Sequence, residues 1–186
     1  MKFFLLIIFF AVTLLYIPLN RQAPKYRLKF SIDDQIPLMP WTVWIYAAYY
    51  PLIPLTLFFT WNSPVILPLL ICLNISTIFS SLVWKIFPNG VARPTISRDL
   101  NINHRVLSLI YSKDRDCNGL PSGHVIHSFI ATYFLSLQFP NLWLVFLVIL
   151  MSISISTLTT KQHYYIDMVA TLFTAPLMVE FTKYII

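Results

Sequence analysis

The sequence predicts an all-α membrane protein of six transmembrane helices, and three observations carry that prediction. The chain has 186 residues, 58% of them hydrophobic and only 11% charged, with a mean hydropathy of +0.72. A soluble domain carries roughly 25% charged residues. The apolar residues also gather into six runs, each near the roughly 20 residues that cross a bilayer. Finally, the polar residues concentrate in the connections, above all in residues 88–120. Thirteen prolines against three glycines argue against a flexible low-complexity chain. At this length residues 1–186 form a single membrane domain.

The first span is expected at about 3–19, after Met1-Lys2. A charge followed by an apolar core also suits a signal peptide. No small-x-small cleavage site follows, however, only Asn20, Arg21 and Gln22, so the expected segment is a retained helix. Residues 20–40 mix Arg21, Lys25, Arg27, Lys29, Asp33 and Asp34 with Phe30, Ile32, Ile36 and Leu38, which suits a segment in the membrane interface. Trp41 and Trp44 open the second span, at about 41–59, where an aromatic belt belongs; Pro51 and Pro54 interrupt it. The third span, about 64–87, carries Asn74, Ser76, Thr77, Ser80 and Ser81, expected to face other helices. In the loop 88–120, Val106, Leu107 and Ile110 have helical spacing, so Asn103–Ser112 is expected as a short surface helix. The last three spans are expected at about 121–139, 142–157 and 163–184.

Six spans place residues 20–40, 88–120 and 158–162 on one face. Eleven of the thirteen Lys and Arg fall on that side and only Lys2 and Lys183 on the other. The net charge of +6 is therefore concentrated beside the histidines. That suits an anionic head group at a bilayer surface better than nucleic acid. Cys72 and Cys117 lie at different apparent depths, and no disulfide is expected between them. Nothing in the sequence marks an obligate protein partner.

The chain converges on Pro121-Ser122-Gly123-His124, where a polar loop meets an apolar helix. Pro is tolerated at a first helical position. Ser122 and Gly123 are expected to offer backbone N–H groups at a helix N-terminus, which favours a bound anion. His124 can carry a proton near neutral pH. His163 and Asp167 are four apart, one turn on a helix face. A carboxylate against one imidazole nitrogen fixes the tautomer and leaves the other free to attack. The plainer alternatives are a loop-to-helix junction and a self-satisfied His–Asp pair. Arg93 has a fork suited to phosphate oxygens, or anchors the membrane edge. Lys161 is a second candidate phosphate cation, or a snorkelling lysine. His104 and His127 are expected to be structural. His124 and His127 have no cluster of carboxylates that would complete a metal site, so no metal or other cofactor is expected. Asp114 and Asp116 are expected as solvated loop charges.

Taken in order, these blocks resemble the type 2 phosphatidic acid phosphatases, relatives of the vanadium haloperoxidases. That signature runs Lys, six residues, Arg-Pro; then Pro-Ser-Gly-His; then Ser-Arg, five residues, His, three residues, Asp. Here Pro121–His124 is complete, and Arg93-Pro94, Ser156, His163 and Asp167 are kept. Ile86 stands at the Lys position, with Lys85 one residue out of register, and Thr157 stands at the Arg position. The stretch from Lys161 to Asp167 also looks like the inositol phosphorylceramide and sphingomyelin synthases.

The resemblance implies metal-independent dephosphorylation of a lipid phosphate or diphosphate through a phosphohistidine. His163 is then the nucleophile, Asp167 orients it, and His124 protonates the leaving oxygen and later activates water. Arg93, Ser122 and Gly123 hold the phosphoryl oxygens, and Lys161, one turn after Thr157, is expected to replace the absent Arg. Transfer to a diacylglycerol or ceramide-like acceptor is the alternative. Non-enzymatic lipid binding or transport is another. The family places the site on the extracytoplasmic side of the inner or plasma membrane, whereas the positive-inside rule would put the basic face in the cytoplasm.

Overall fold

A computed structural model describes residues 1–97 and 101–185; Arg98, one of the basic loop residues, lies outside them. The described residues form ten α-helices: α1 (Lys2–Thr13), α2 (Tyr16–Asn20), α3 (Ser31–Gln35), α4 (Val43–Ala47), α5 (Tyr49–Thr60), α6 (Ile66–Ile86), α7 (Ile102–Lys113), α8 (Gly123–Gln138), α9 (Trp143–Thr159) and α10 (Tyr165–Lys183). Extended structure among them is limited to two isolated bridges, Tyr26 with Asn89 and Gly90 with Cys117.

Several elements differ from the expected spans for local reasons. The first span is α1 plus α2, broken at Leu14-Leu15. Pro18 has no N–H to donate to the Leu14 carbonyl one turn earlier. The second is a 3₁₀ turn at Pro40–Thr42 followed by α4 and α5, interrupted at Ala48. Pro51 likewise leaves the Ala47 carbonyl without its helical donor. The surface helix expected at Asn103–Ser112 is present as α7, and Asn101 caps it by accepting from the His104 N–H.

Four stretches are long and apolar enough to cross a membrane: Lys2–Asn20, Pro40–Thr60, Ile66–Ile86 and Pro140–Thr159. The other two expected spans do not qualify on these terms: α8 has 16 residues, and α10 carries Asp167, Glu180 and Lys183. Yet α8 is the hub. It packs against α5, α6, α9 and α10, while α6 packs against α1 and α10. Asn74, Ser76, Thr77, Ser80 and Ser81 of α6 are all buried, as expected. The Asn74 amide donates to the Leu5 and Leu70 carbonyls, which removes the cost of an unpaired polar donor away from water. Phe3, Phe58, Leu82, Val148 and Phe173 point outward, an apolar exterior of the kind lipid covers.

The three basic connections interlock at one end of the bundle. Asn20 donates to the Arg115 and Cys117 carbonyls and accepts from the Arg115 N–H. Arg27 pairs with Asp116 at 2.6 Å, and the Lys161 ammonium donates to the carbonyls of Asp33 and Ile36. Cys72 and Cys117 are free thiols.

Candidate active site

Ser122 begins the site. It is the N-cap of α8, its hydroxyl accepting from the Val125 N–H at 3.3 Å, and Gly123 is the first helical residue. Pro121 therefore lies outside the helix, after a cis Leu120–Pro121 bond, and not at its first position. The Ser122 N–H is also committed: it donates to the Thr171 hydroxyl at 2.8 Å, and Thr171 in turn donates to the Asp167 carbonyl. The expected role of Ser122 as an anion donor thus gives way to one in which it ties α8 to α10. Gly123 does line the cavity, and the first amides of α8 have no intrahelical acceptor.

His124 follows, enclosed by the rings of Tyr46 and Tyr49 at 4.3 and 4.4 Å. Its ring centroid is 6.2 Å from that of His163. His163 precedes α10 instead of lying within it, because Tyr164 is extended and caps the helix. The pair with Asp167 survives that shift. One carboxylate oxygen, Oδ2, accepts from the Tyr164 N–H at 2.9 Å and lies 3.6 Å from His163 Nδ1. Nδ1 thus faces the carboxylate, and Nε2 is the ring nitrogen turned away from it. Gly119 packs so close to Asp167 that an added Cβ would come within 2.9 Å of the carboxylate. On the far side, Asp33 accepts from the Tyr165 N–H at 2.7 Å, pinning the start of α10.

Arg93 comes from the loop before α7. Its guanidinium donates to the Asp114 carbonyl at 2.6 Å, lies 3.5 Å from the Asp114 carboxylate and sits over the Tyr111 ring. Burial pushes the Tyr111 hydroxyl up to about 12, with Arg93 opposing. The neighbouring Ala92 N–H donates to the Tyr164 hydroxyl at 3.0 Å. Asp114 is therefore an orienting carboxylate and not the solvated charge expected; it also accepts from the Tyr16 hydroxyl. Asp116 stays partly solvated, in a surface pair with Arg27.

Arg93, Gly123, His124 and His163 line one cavity of about 1170 Å³. Around it, Arg93 Nε, His124 Nε2, His163 Nδ1 and both amide atoms of Asn118 and Gln162 are buried without a hydrogen-bond partner among the described residues. Buried polar groups are normally paired, so this concentration marks a place built for a polar group. Sequence reasoning missed Asn118 and Gln162, whose residue types read as ordinary loop amides. It also missed Thr171, although that residue is one turn after Asp167 on the same face.

His127 also lines the cavity but is satisfied, with Nδ1 on the Tyr49 hydroxyl at 2.9 Å and Nε2 on the Thr77 hydroxyl at 3.0 Å; this is the expected structural histidine. His104 pairs with Asn101. The described residues contain no cluster of three metal-ligating side chains.

Lys161 departs from expectation. A backbone φ of 52° turns it away, its ammonium is held by the Asp33 and Ile36 carbonyls, and it is not among the cavity-lining residues. Burial lowers its pKa, with Asp33 and Asp34 opposing. Lys161→Ala is therefore expected to lower stability by about 1–2 kcal/mol. It should leave kcat/KM within about threefold, because the side chain does not line the cavity and its loss removes no transition-state contact. Melting temperature and kcat/KM, measured on one preparation, check both.

Two imidazoles lie edge-on, 6.2 Å apart, in a cavity that a guanidinium also lines, with a carboxylate beside one ring. This arrangement can pass a phosphoryl group through nitrogen, by nucleophile, proton carrier and anion clamp. The class is phosphatase-type phosphoryl transfer in a helical membrane protein. A family model described as the PAP2 superfamily matches residues 65–186, well over half the chain, and the chain belongs to that superfamily, whose members are phosphatases. Comparison with curated proteins and with solved structures finds no match.

Proposed function

We propose that this protein dephosphorylates a lipid phosphate or diphosphate at the membrane surface, through a phosphohistidine on His163. The observation that carries the lipid part is the shape of the cavity. From His124 and His163 it continues between α1 and α5 past Phe9, Phe10, Ile53 and Leu57 to Trp61. The twelve residues of α5 span about 18 Å at roughly 1.5 Å per residue. A soluble phosphate ester has no use for an apolar channel of that depth, whereas a hydrocarbon tail fills it. Trp61 lines the far end, its carbonyl accepting from Lys2 Nζ at 3.2 Å and its ring meeting Phe3 edge-on.

In this reading α8, which the other helices surround, and α10, which turns Phe173, Leu177 and Phe181 outward, are the two remaining membrane crossings, and the basic face lies on the extracytoplasmic side. His163 Nε2 attacks phosphorus, and Asp167 fixes the tautomer and stabilises the imidazolium. His124 protonates the departing lipid oxygen and then takes a proton from the attacking water. Arg93 and the N-terminus of α8 neutralise the phosphoryl oxygens.

A second reading has one observation in its favour. Arg93 shares its charge with Asp114, a thin complement to a phosphomonoester carrying about two negative charges. A phosphodiester carries one, as in transfer of a phosphoryl-linked headgroup to an alcohol.

The test is phosphate release by the purified protein across lipid phosphates, with glycerol phosphate as the tail-less control. Burying a tail contributes about 0.8 kcal/mol per methylene, so lipid substrates should exceed the control by at least about 100-fold in kcat/KM, and EDTA should leave the rate unchanged. Equal rates on the control would refute the lipid reading, and headgroup appearing on added diacylglycerol without phosphate release would establish transfer.

A further inference from the structure

Two positively charged positions of the motif are vacated in this chain, and the residues that stand there do not take over. Ile86 is 80% exposed. Lys85 beside it is exposed and does not line the cavity. Thr157 is fully buried, with its hydroxyl donating to the Ser154 carbonyl. Lys161 is bound to Asp33 and Ile36. The described Lys and Arg side chains that line the cavity are Arg93, which is half-buried, and Lys113, which is exposed. A phosphoryl group carries charge on three oxygens as it transfers, so the inner end of this site needs donors from elsewhere.

Two residues there have donors to give. Asn118 and Gln162 are each 3% exposed and line the cavity with His124 and His163. All four of their side-chain polar atoms lack a hydrogen-bond partner among the described residues. Leaving such groups buried and unpaired costs about 1–3 kcal/mol each, which a chain selected only for stability would remove with apolar residues. Both are also held firmly in place. Gln162 directly precedes the nucleophile, and its N–H and that of His163 both donate to the Thr157 carbonyl, at 2.9 and 3.1 Å. Asn118 adopts φ 66°, a left-handed conformation that Asn tolerates better than most residues, and directly precedes Gly119, which packs on the Asp167 carboxylate.

We propose that Asn118 and Gln162 bind the non-bridging phosphoryl oxygens, supplying neutral N–H donors in place of the missing motif cations. The assignment rests on the phosphoryl-transfer reading above and deepens it. The polar atoms of the two amides are buried beside the cavity, and rotation about their terminal torsions, which have broad wells, re-aims them toward a bound phosphoryl group. Each then turns its NH₂ to a phosphoryl oxygen, and its carbonyl oxygen is left to accept from a protonated phosphoryl oxygen or from water. Donors without charge hold a phosphoryl group in position while adding little attraction for a free anion. The site consequently depends on geometry more than on field.

The experiment measures binding and turnover separately, on the full chain in bilayers. Orthovanadate serves as the phosphoryl mimic, read both by its inhibition of lipid phosphate hydrolysis and by the rise in melting temperature it causes. Asn118→Ala and Gln162→Ala are each expected to weaken orthovanadate binding and lower kcat/KM by about tenfold or more, as for lost hydrogen bonds to a charged group. Asn118→Asp and Gln162→Glu keep the shape while adding like charge, so their losses should be larger; they also serve if an alanine variant does not fold. Orthovanadate binding and kcat/KM within about twofold of wild type in the folded variants would overturn the assignment, as would a wild-type protein insensitive to orthovanadate in both readouts. If His163→Ala is inactive while the amide variants match wild type, the phosphatase reading stands and the amide assignment fails. If no lipid phosphate is hydrolysed but the amide variants lose orthovanadate binding, the amide assignment stands and the lipid reading fails.

Discussion

His163→Ala is expected to abolish turnover, because under the proposed mechanism it removes the imidazole that receives the phosphoryl group. The variant should fold, since His163 makes no side-chain hydrogen bond that the core depends on: its Nδ1 lies 3.6 Å from Asp167, beyond hydrogen-bond reach, and Asp167 retains its bond from the Tyr164 N–H. His124→Ala should cost about 10²–10⁴-fold in kcat, the usual contribution of a general acid–base group. His124 sits between aromatic rings and not against a carboxylate, so its loss leaves no buried charge behind. Kinetics alongside melting curves check both variants. Near wild-type rates from either would remove that residue from the chemistry.

Arg93→Ala should cost about 10²–10⁴-fold in kcat/KM. The arithmetic is two charge-assisted hydrogen bonds at about 1.5–3 kcal/mol each, converted at about 1.4 kcal/mol per decade. This variant also strands Asp114, whose carboxylate lies 3.5 Å from the guanidinium and is only 20% exposed, so stability should fall as well. Arg93→Lys separates the effects. It keeps a charge near Asp114 but loses the planar fork, and should recover stability while recovering little of the rate. Full activity in Arg93→Lys would show that charge alone matters at this position.

Much of this architecture was legible because membrane helices announce themselves by composition, and because the site residues sit where loops meet helices. Arg93, His124 and His163 were expected at one surface and line one cavity. The polar face of α6 and the amphipathic α7 were readable from residue spacing. The errors arose where tertiary contacts override local pattern. Nothing in Pro-Ser-Gly-His says that the Ser122 amide is already taken by Thr171, 49 residues away. Lys161 stands close to His163 in sequence, but its left-handed backbone sends it to the carbonyls of a segment about 125 residues distant. Asp114 reads as a loop charge until its neighbours Tyr16 and Arg93 are seen. Asn118 and Gln162 carry no signal in sequence, since a buried amide and a solvated one are the same letter. One displaced boundary did have a cue: Asp167 at the third position of α10 accepts from the Tyr164 N–H, a reciprocal cap readable from its spacing, and it places His163 before the helix and not in it.

The most direct test of the central claim is to quench the protein during turnover of a lipid labelled in its phosphoryl group and to map the label by mass spectrometry. The account predicts an acid-labile, base-stable phosphoryl group on His163, absent from His163→Ala. Label on any other residue, or sustained turnover by His163→Ala, would contradict it.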